Sequence, residues 1–96
     1  MKLILVMYSG SRPGLVPQLL DGEGVHGYTE LRGAHGAGRS GKHEGTRAWP
    51  GETAVFFSMV EDEQVQGLLG TLRAQGAQSL PGESFHVAEL PVEYFG

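Results

Sequence analysis

Apolar positions along this chain fall into three textures. Two stretches are continuous: Lys2–Tyr8, with β-branched Ile4 and Val6, and Glu52–Val60, with Ala54-Val55-Phe56-Phe57 followed by Met59-Val60. Such runs predict strands buried on both faces. Two stretches carry helical spacing. Leu15, Val16, Leu19 and Leu20 recur at i, i+1, i+4, i+5, predicting a short helix over Leu15–Leu20 with Pro17 in its first turn. Val65, Leu68, Leu69 and Leu72 recur at i, i+3, i+4, i+7, predicting a helix over Glu61–Gln75. Two stretches are mixed. Val25–Arg32 alternates, with Val25, Gly27, Thr29 and Leu31 on one side and His26, Tyr28, Glu30 and Arg32 on the other. Phe85–Leu90 is a last, more polar strand, followed by Pro91 and an aromatic tail, Tyr94-Phe95.

Punctuation supports these boundaries. Ser9-Gly10-Ser11 breaks the first strand and Asp21-Gly22-Glu23-Gly24 ends the first helix. Glu61, Asp62 and Glu63 suit the positive end of the second helix, Arg73 its negative end, and Gly76 a left-handed cap. Gly67 and Gly70 each weaken that helix by about 1 kcal/mol against Ala. The order is β-α-β-β-α-β, which predicts an α+β, ferredoxin-like fold. In it a four-stranded antiparallel sheet carries two helices on one face, with the first and third strands central. The other face then needs a cover, and a second copy of the chain is the expected one, in a closed oligomer.

Composition narrows the function classes. The chain has 96 residues, 7 basic and 11 acidic, for a net charge of −4, with 16 Gly and no Cys. This length predicts a single domain over residues 1–96. Without Cys there is neither a disulfide scaffold nor a Cys-based zinc site. The acidic balance excludes general affinity for nucleic acid. The longest apolar run, Leu3–Tyr8, falls far short of a membrane span or a signal-peptide core, so no membrane insertion and a cytoplasmic setting are expected.

The chemistry concentrates between strands. Residues Gly33–Gly51 hold six glycines and almost no aliphatics, which predicts a long loop. Arg32, Arg39, Lys42 and Arg47, four of the seven basic residues, fall within sixteen positions and only Glu44 opposes them there. Guanidinium groups beside exposed backbone N–H groups make an anion receptor, so this segment is expected to bind a phosphate, a nucleotide or an acidic partner surface. Gly36-Ala37-Gly38-Arg39-Ser40-Gly41-Lys42-His43 fits the spacing G-x-x-x-x-G-K, but His43 replaces the magnesium-binding hydroxyl and no helix follows. The match is read as chance. His35, His43 and Glu44 form a candidate site for a divalent transition metal, with His26 and His86 on the mixed strands. Trp49-Pro50-Gly51 reads as a turn into the third strand, with Trp49 sealing the core. No nucleophile beside a base and no carboxylate pair is visible, so no catalytic residues and no enzyme activity are expected.

The segments Gly27-Tyr28-Thr29-Glu30-Leu31 and Gly36-Ala37-Gly38-Arg39-Ser40-Gly41-Lys42-His43-Glu44 are similar to a strand and the base of the long T-loop of the P-II signal-transduction proteins. Their superfamily includes the CutA-type trimers, and the element order extends the resemblance over nearly the whole chain. The resemblance implies a homotrimer with outward loops, effectors held between subunits, and action by docking onto a target protein. It implies that Thr29, Gly36, Gly38 and Arg39 lie near nucleotide phosphates, with Lys42 and Arg47 completing the basic loop. It leaves a CutA-like alternative in which His35, His43 and Glu44 hold metal. The chain departs from P-II in three ways. Gln78-Ser79-Leu80-Pro81-Gly82-Glu83 lacks the Lys of a second phosphate loop, Phe85–Gly96 lacks Arg, and Gly33–Gly51 lacks Tyr.

Overall fold

The computed structural model describes residues 1–38, 41–43 and 52–96, the side chains of 36–38, 41–43 and 52 excepted. The elements run β1 (Lys2–Gly10), α1 (Leu15–Gly22), β2 (Thr29–Arg32), β3 (Gly36–Gly38), β4 (Gly41–His43), β5 (Glu52–Val60), α2 (Asp62–Gly76) and β6 (Ser84–Pro91). The two continuous apolar runs became the two nine-residue strands, β1 and β5, paired antiparallel from Lys2↔Val60 to Gly10↔Glu52. With β2 and β6 outside them, the described residues form a four-stranded antiparallel sheet in the order β2-β5-β1-β6. This is the expected ferredoxin-like arrangement, with the apolar strands central and the mixed ones at the edges.

Alternation along each strand splits the sheet into two unlike faces. Ile4, Val6 and Tyr8 of β1 and Ala54, Phe56 and Val60 of β5 are buried against Val16 and Leu20 of α1 and Val65, Leu68 and Leu72 of α2. The opposite face is open. Its register pairs Leu3, Leu5 and Met7 with Met59, Phe57 and Val55 on one side, and with Leu90, Ala88 and His86 on the other. Thr29 and Leu31 of β2 extend it beyond Phe57 and Val55. Met7, Leu31 and Leu90 remain 42%, 53% and 42% exposed there. Within one chain, therefore, the apolar side chains of β1 and β5 are fully buried on the helix face only, not on both.

Local chemistry explains the boundaries that moved. The expected strand from Val25 begins only at Thr29. Gly24, at φ +76°, closes α1: its N–H bonds to Asp21 O at 3.0 Å and the Val25 N–H to Leu20 O at 2.9 Å. This is the paired bonding of a left-handed helix cap, with Val25 packed into the core beside Leu20. Val25 is buried as a cap residue, so its place in the alternation was coincidental. Gly76 is not a left-handed cap. It lies inside α2, and the helix ends at Ala77 with φ −71°. A Cβ at Gly76 would meet the Phe85 ring of β6 at 3.4 Å, an ordinary contact distance. Within the expected loop over 33–51, β3 and β4 pair as a short antiparallel hairpin. The G-x-x-x-x-G-K match falls across this hairpin and Lys42 and His43 lie in a strand, which removes its helical context.

Candidate functional site

The expected effector residue that can be placed with its side chain is Thr29. It lies at the edge of a groove of about 440 Å³ on the open sheet face. Leu3, Phe57 and Met59 line the groove from β1 and β5, and Phe95 reaches in from the C-terminal segment. Gly27 and Tyr28 line its β2 end. Two contacts hold that end in place. The Ser58 hydroxyl donates to the Gly27 carbonyl at 2.7 Å, and the Tyr28 ring leans on Phe56 with centroids 6.1 Å apart. The size lies in the range that takes a small-molecule ring system, and an apolar wall with a few polar edges is the usual chemistry of such sites.

From Thr29 the chain runs directly toward the basic segment. Glu30 accepts from Arg32 Nε at 2.6 Å, and past Gly33 the Ala34 N–H bonds to Thr53 O at 3.1 Å. Thr53 in turn shares a 2.8 Å hydroxyl contact with buried Ser9. These bonds anchor the strand from which β3 departs. Gly36 and Gly38 are fixed as backbone positions of β3, paired to His43 and Gly41. The side chain of Lys42 and all of Arg39 and Arg47 lie outside the described residues, as does Trp49. For the metal reading, His35 is exposed, while the His43 side chain and Glu44 lie outside the described residues. Among the described residues no three metal-ligating side chains come together.

A second polar constellation, unanticipated from the sequence, sits at the same end of the sheet. The Tyr8 hydroxyl donates to Glu83 Oε2 at 2.5 Å and accepts from the Arg12 N–H at 2.8 Å. Arg12 clamps the same carboxylate with Nε to Oε2 at 2.8 Å and Nη2 to Oε1 at 2.5 Å. The Leu80 N–H completes the cage on Oε1 at 2.9 Å. The Glu83 side chain is only 3% exposed. The Arg12 hydrogen bonds hold its carboxyl down at about 2 against the opposing effect of burial, with Tyr8 and Leu80 adding to the depression. Burial first, and then Glu83, push the Tyr8 phenol above its ordinary value. Gly10 makes room for the cage, since a Cβ there would stand 2.5 Å from Tyr8 Oη and 2.8 Å from Glu83 Cγ. The departure noted at Gln78–Glu83 thus has a structural content: the loop presents an acid to an arginine of its own chain.

Sequence reasoning missed the groove walls because Leu3, Phe57 and Met59 read as ordinary strand residues. Among the described residues no helix is long and apolar enough to cross a membrane. No family model and no curated protein matches the sequence. Solved structures do match its fold. One is of CPII, a nitrogen regulatory PII-like protein from Thiomonas intermedia K12, bound to ADP, AMP and bicarbonate. It is 23% identical, with a TM-score of 0.72 over 97% of this chain and 88% of that one. CPII bound to ADP and bicarbonate gives 24% identity and 0.71 over the same shares. Its apo form gives 21% and 0.63 over 95% and 89%. The chain therefore has the fold of a nitrogen regulatory PII-like protein.

Proposed function

We propose that this chain is a non-enzymatic, PII-like regulator that assembles as a trimer through its open sheet face. It takes a nucleotide effector in the Thr29 groove and presents the basic 33–51 segment to a target protein, an enzyme, transporter or regulator of the cytoplasm. The groove carries the reading. Its apolar walls suit a nucleobase, and the β2 strand on its rim leads straight to the segment holding Gly36, Gly38, Arg39, Lys42 and Arg47. An adenine nucleotide lying there would direct its phosphates toward these groups. The ADP and AMP bound to CPII, a protein of the same fold, support this ligand class. The groove lies on the face that a second copy would cover, which fits an effector held between subunits. Ordering a glycine-rich segment costs about 1–2 kcal/mol per fixed residue. Phosphate contacts of comparable size then shift that segment between target-competent and incompetent ensembles.

The test is a titration with ADP, AMP and ATP, each with and without bicarbonate, read by melting temperature and by fluorescence of the chain's one Trp. At a hundredfold excess over Kd, a nucleotide that binds only the native state adds about 2.7 kcal/mol of stability. Arg39→Ala is expected to weaken binding at least tenfold. The absence of a response to any of these nucleotides at millimolar concentration overturns the reading.

A further inference from the structure

We propose that the open sheet face is a pH-gated contact between copies of this chain, with His86 as its sensor. The proposal rests on the self-assembly put forward above and adds its regulation.

The argument begins with the make-up of that face. The residues that alternate onto it from β1, β2 and β5 are aliphatic, aromatic, thioether or hydroxyl-bearing, from Leu3 to Ser9, Thr29 to Leu31 and Thr53 to Met59. On β6 the series is Ser84, His86, Ala88 and Leu90. Among the side chains that the four strands alternate onto this face, His86 is the one titratable group. A surface without fixed charge is what a self-copy needs, because like faces meeting would set every ionised side chain near its own kind. With Met7, Leu31 and Leu90 each more than two-fifths exposed in the single chain, the face carries the apolar surface of an unfilled interface.

His86 is exposed and sits directly opposite Met7. Its neighbours on this face are Ser84 and Ala88 on its own strand and Leu5 and Ser9 diagonally on β1, and among the described residues β6 is an edge strand of the sheet. The acids nearest in sequence turn away. Glu83 and Glu89 alternate to the helix face, Glu83 being held by Arg12, and Glu93 lies beyond the end of β6. No carboxylate of the strands alternates onto this face beside His86, and the C-terminal segment meets the face at its other end, where Phe95 lies by Leu3 and Met59. A neutral imidazole enters such a contact with one hydrogen bond to satisfy, whereas an imidazolium enters as an uncompensated charge. Imidazole is the side chain whose ordinary charge change falls between pH 5 and 8. Assembly therefore excludes the proton, and acidification drives the copies apart. For three copies the trimer dissociation constant rises by up to about 1000-fold per pH unit once the free imidazole is protonated.

The sign is diagnostic. The chain carries a net charge of −4 with its histidines neutral, so protonating histidines lowers the overall repulsion between copies and on that ground alone favours association at low pH. A loosening on acidification must come from a group inside the contact.

The experiment is sedimentation equilibrium from pH 7.5 to 5.5 at 150 mM salt on the wild-type chain, His86→Gln, His86→Phe and the control His26→Gln. The expected result is a trimer at pH 7.5 that dissociates at pH 5.5, with His26→Gln behaving as wild type. Both His86 variants stay assembled across the range. A wild-type trimer indifferent to pH overturns the proposal, as does dissociation that persists unchanged in His86→Gln. Both leave the self-assembly itself standing. A wild-type monomer at pH 7.5 removes the self-assembly reading and this inference with it.

Discussion

Replacing Glu83 by Gln tests the energetic account of the buried cage. The carboxyl has moved from an ordinary 4.5 to about 2. At about 1.4 kcal/mol per pKa unit, the ionised form is favoured in the native state by about 3–4 kcal/mol. Its native value is depressed, so this contribution is fully present above pH 4.5 and is lost as the pH falls through about 2. Gln keeps the shape but not the acceptors. Oε1 accepts from Arg12 Nη2 and Leu80, and Oε2 accepts from Tyr8 and Arg12 Nε. A carboxamide satisfies one of these sets and turns N–H groups toward the other, in a site with little access to water. Urea unfolding followed by far-ultraviolet circular dichroism, at fixed protein concentration, is expected to show Glu83→Gln destabilised by about 3 kcal/mol at pH 7. The gap then closes as the pH drops from 5 to 2, because only the wild type has the Glu83 carboxyl to protonate. A variant that loses stability with acid as steeply as the wild type would refute the reasoning, since the acid branch would then belong to other groups.

Four further outcomes follow from the same structure. Tyr8→Phe removes the hydroxyl that joins the Arg12 N–H to Glu83 and is expected to cost about 1–2 kcal/mol in the same unfolding measurement. Gly24→Ala forces a side chain onto a φ of +76° and should destabilise by about 1 kcal/mol. Gly70→Ala, exposed and with nothing within 4 Å of the added Cβ, should stabilise by about 0.5–1 kcal/mol, the two melting temperatures moving in opposite directions. Leu68→Ala opens a cavity where α2 meets the sheet, at a fully buried position, and should cost about 2–5 kcal/mol by urea titration.

The elements with a strong side-chain rhythm were legible in advance. Both helices and the two central strands follow from the spacing of Leu, Val, Ile and Phe, and their order alone implied which strands are central. The β3–β4 hairpin was not legible, because Gly36, Gly38 and Gly41 carry no side chain from which a period can be read. The start of β2 was misjudged at Val25, where burial comes from the cap of α1 rather than from a place in the sheet. Of the candidate site, Thr29 and the backbone positions of Gly36 and Gly38 now have places, while the groove walls were hidden among residues that any strand would have.

The amino-acid order by itself determined local matters: which segments coil, which extend, and that the loop after β2 concentrates positive charge on a negative chain. Tertiary structure alone decided the meetings between distant residues. Glu83 lies 75 positions from Tyr8 and 71 from Arg12, and nothing near it in sequence distinguishes it from a solvated loop acid. His86 likewise reads as an ordinary edge-strand residue until the register sets it opposite Met7 on an uncharged face. Periodicity reports only which side of its own element a residue occupies. What lies across from it depends on pairing register and helix packing, which are properties of the whole chain.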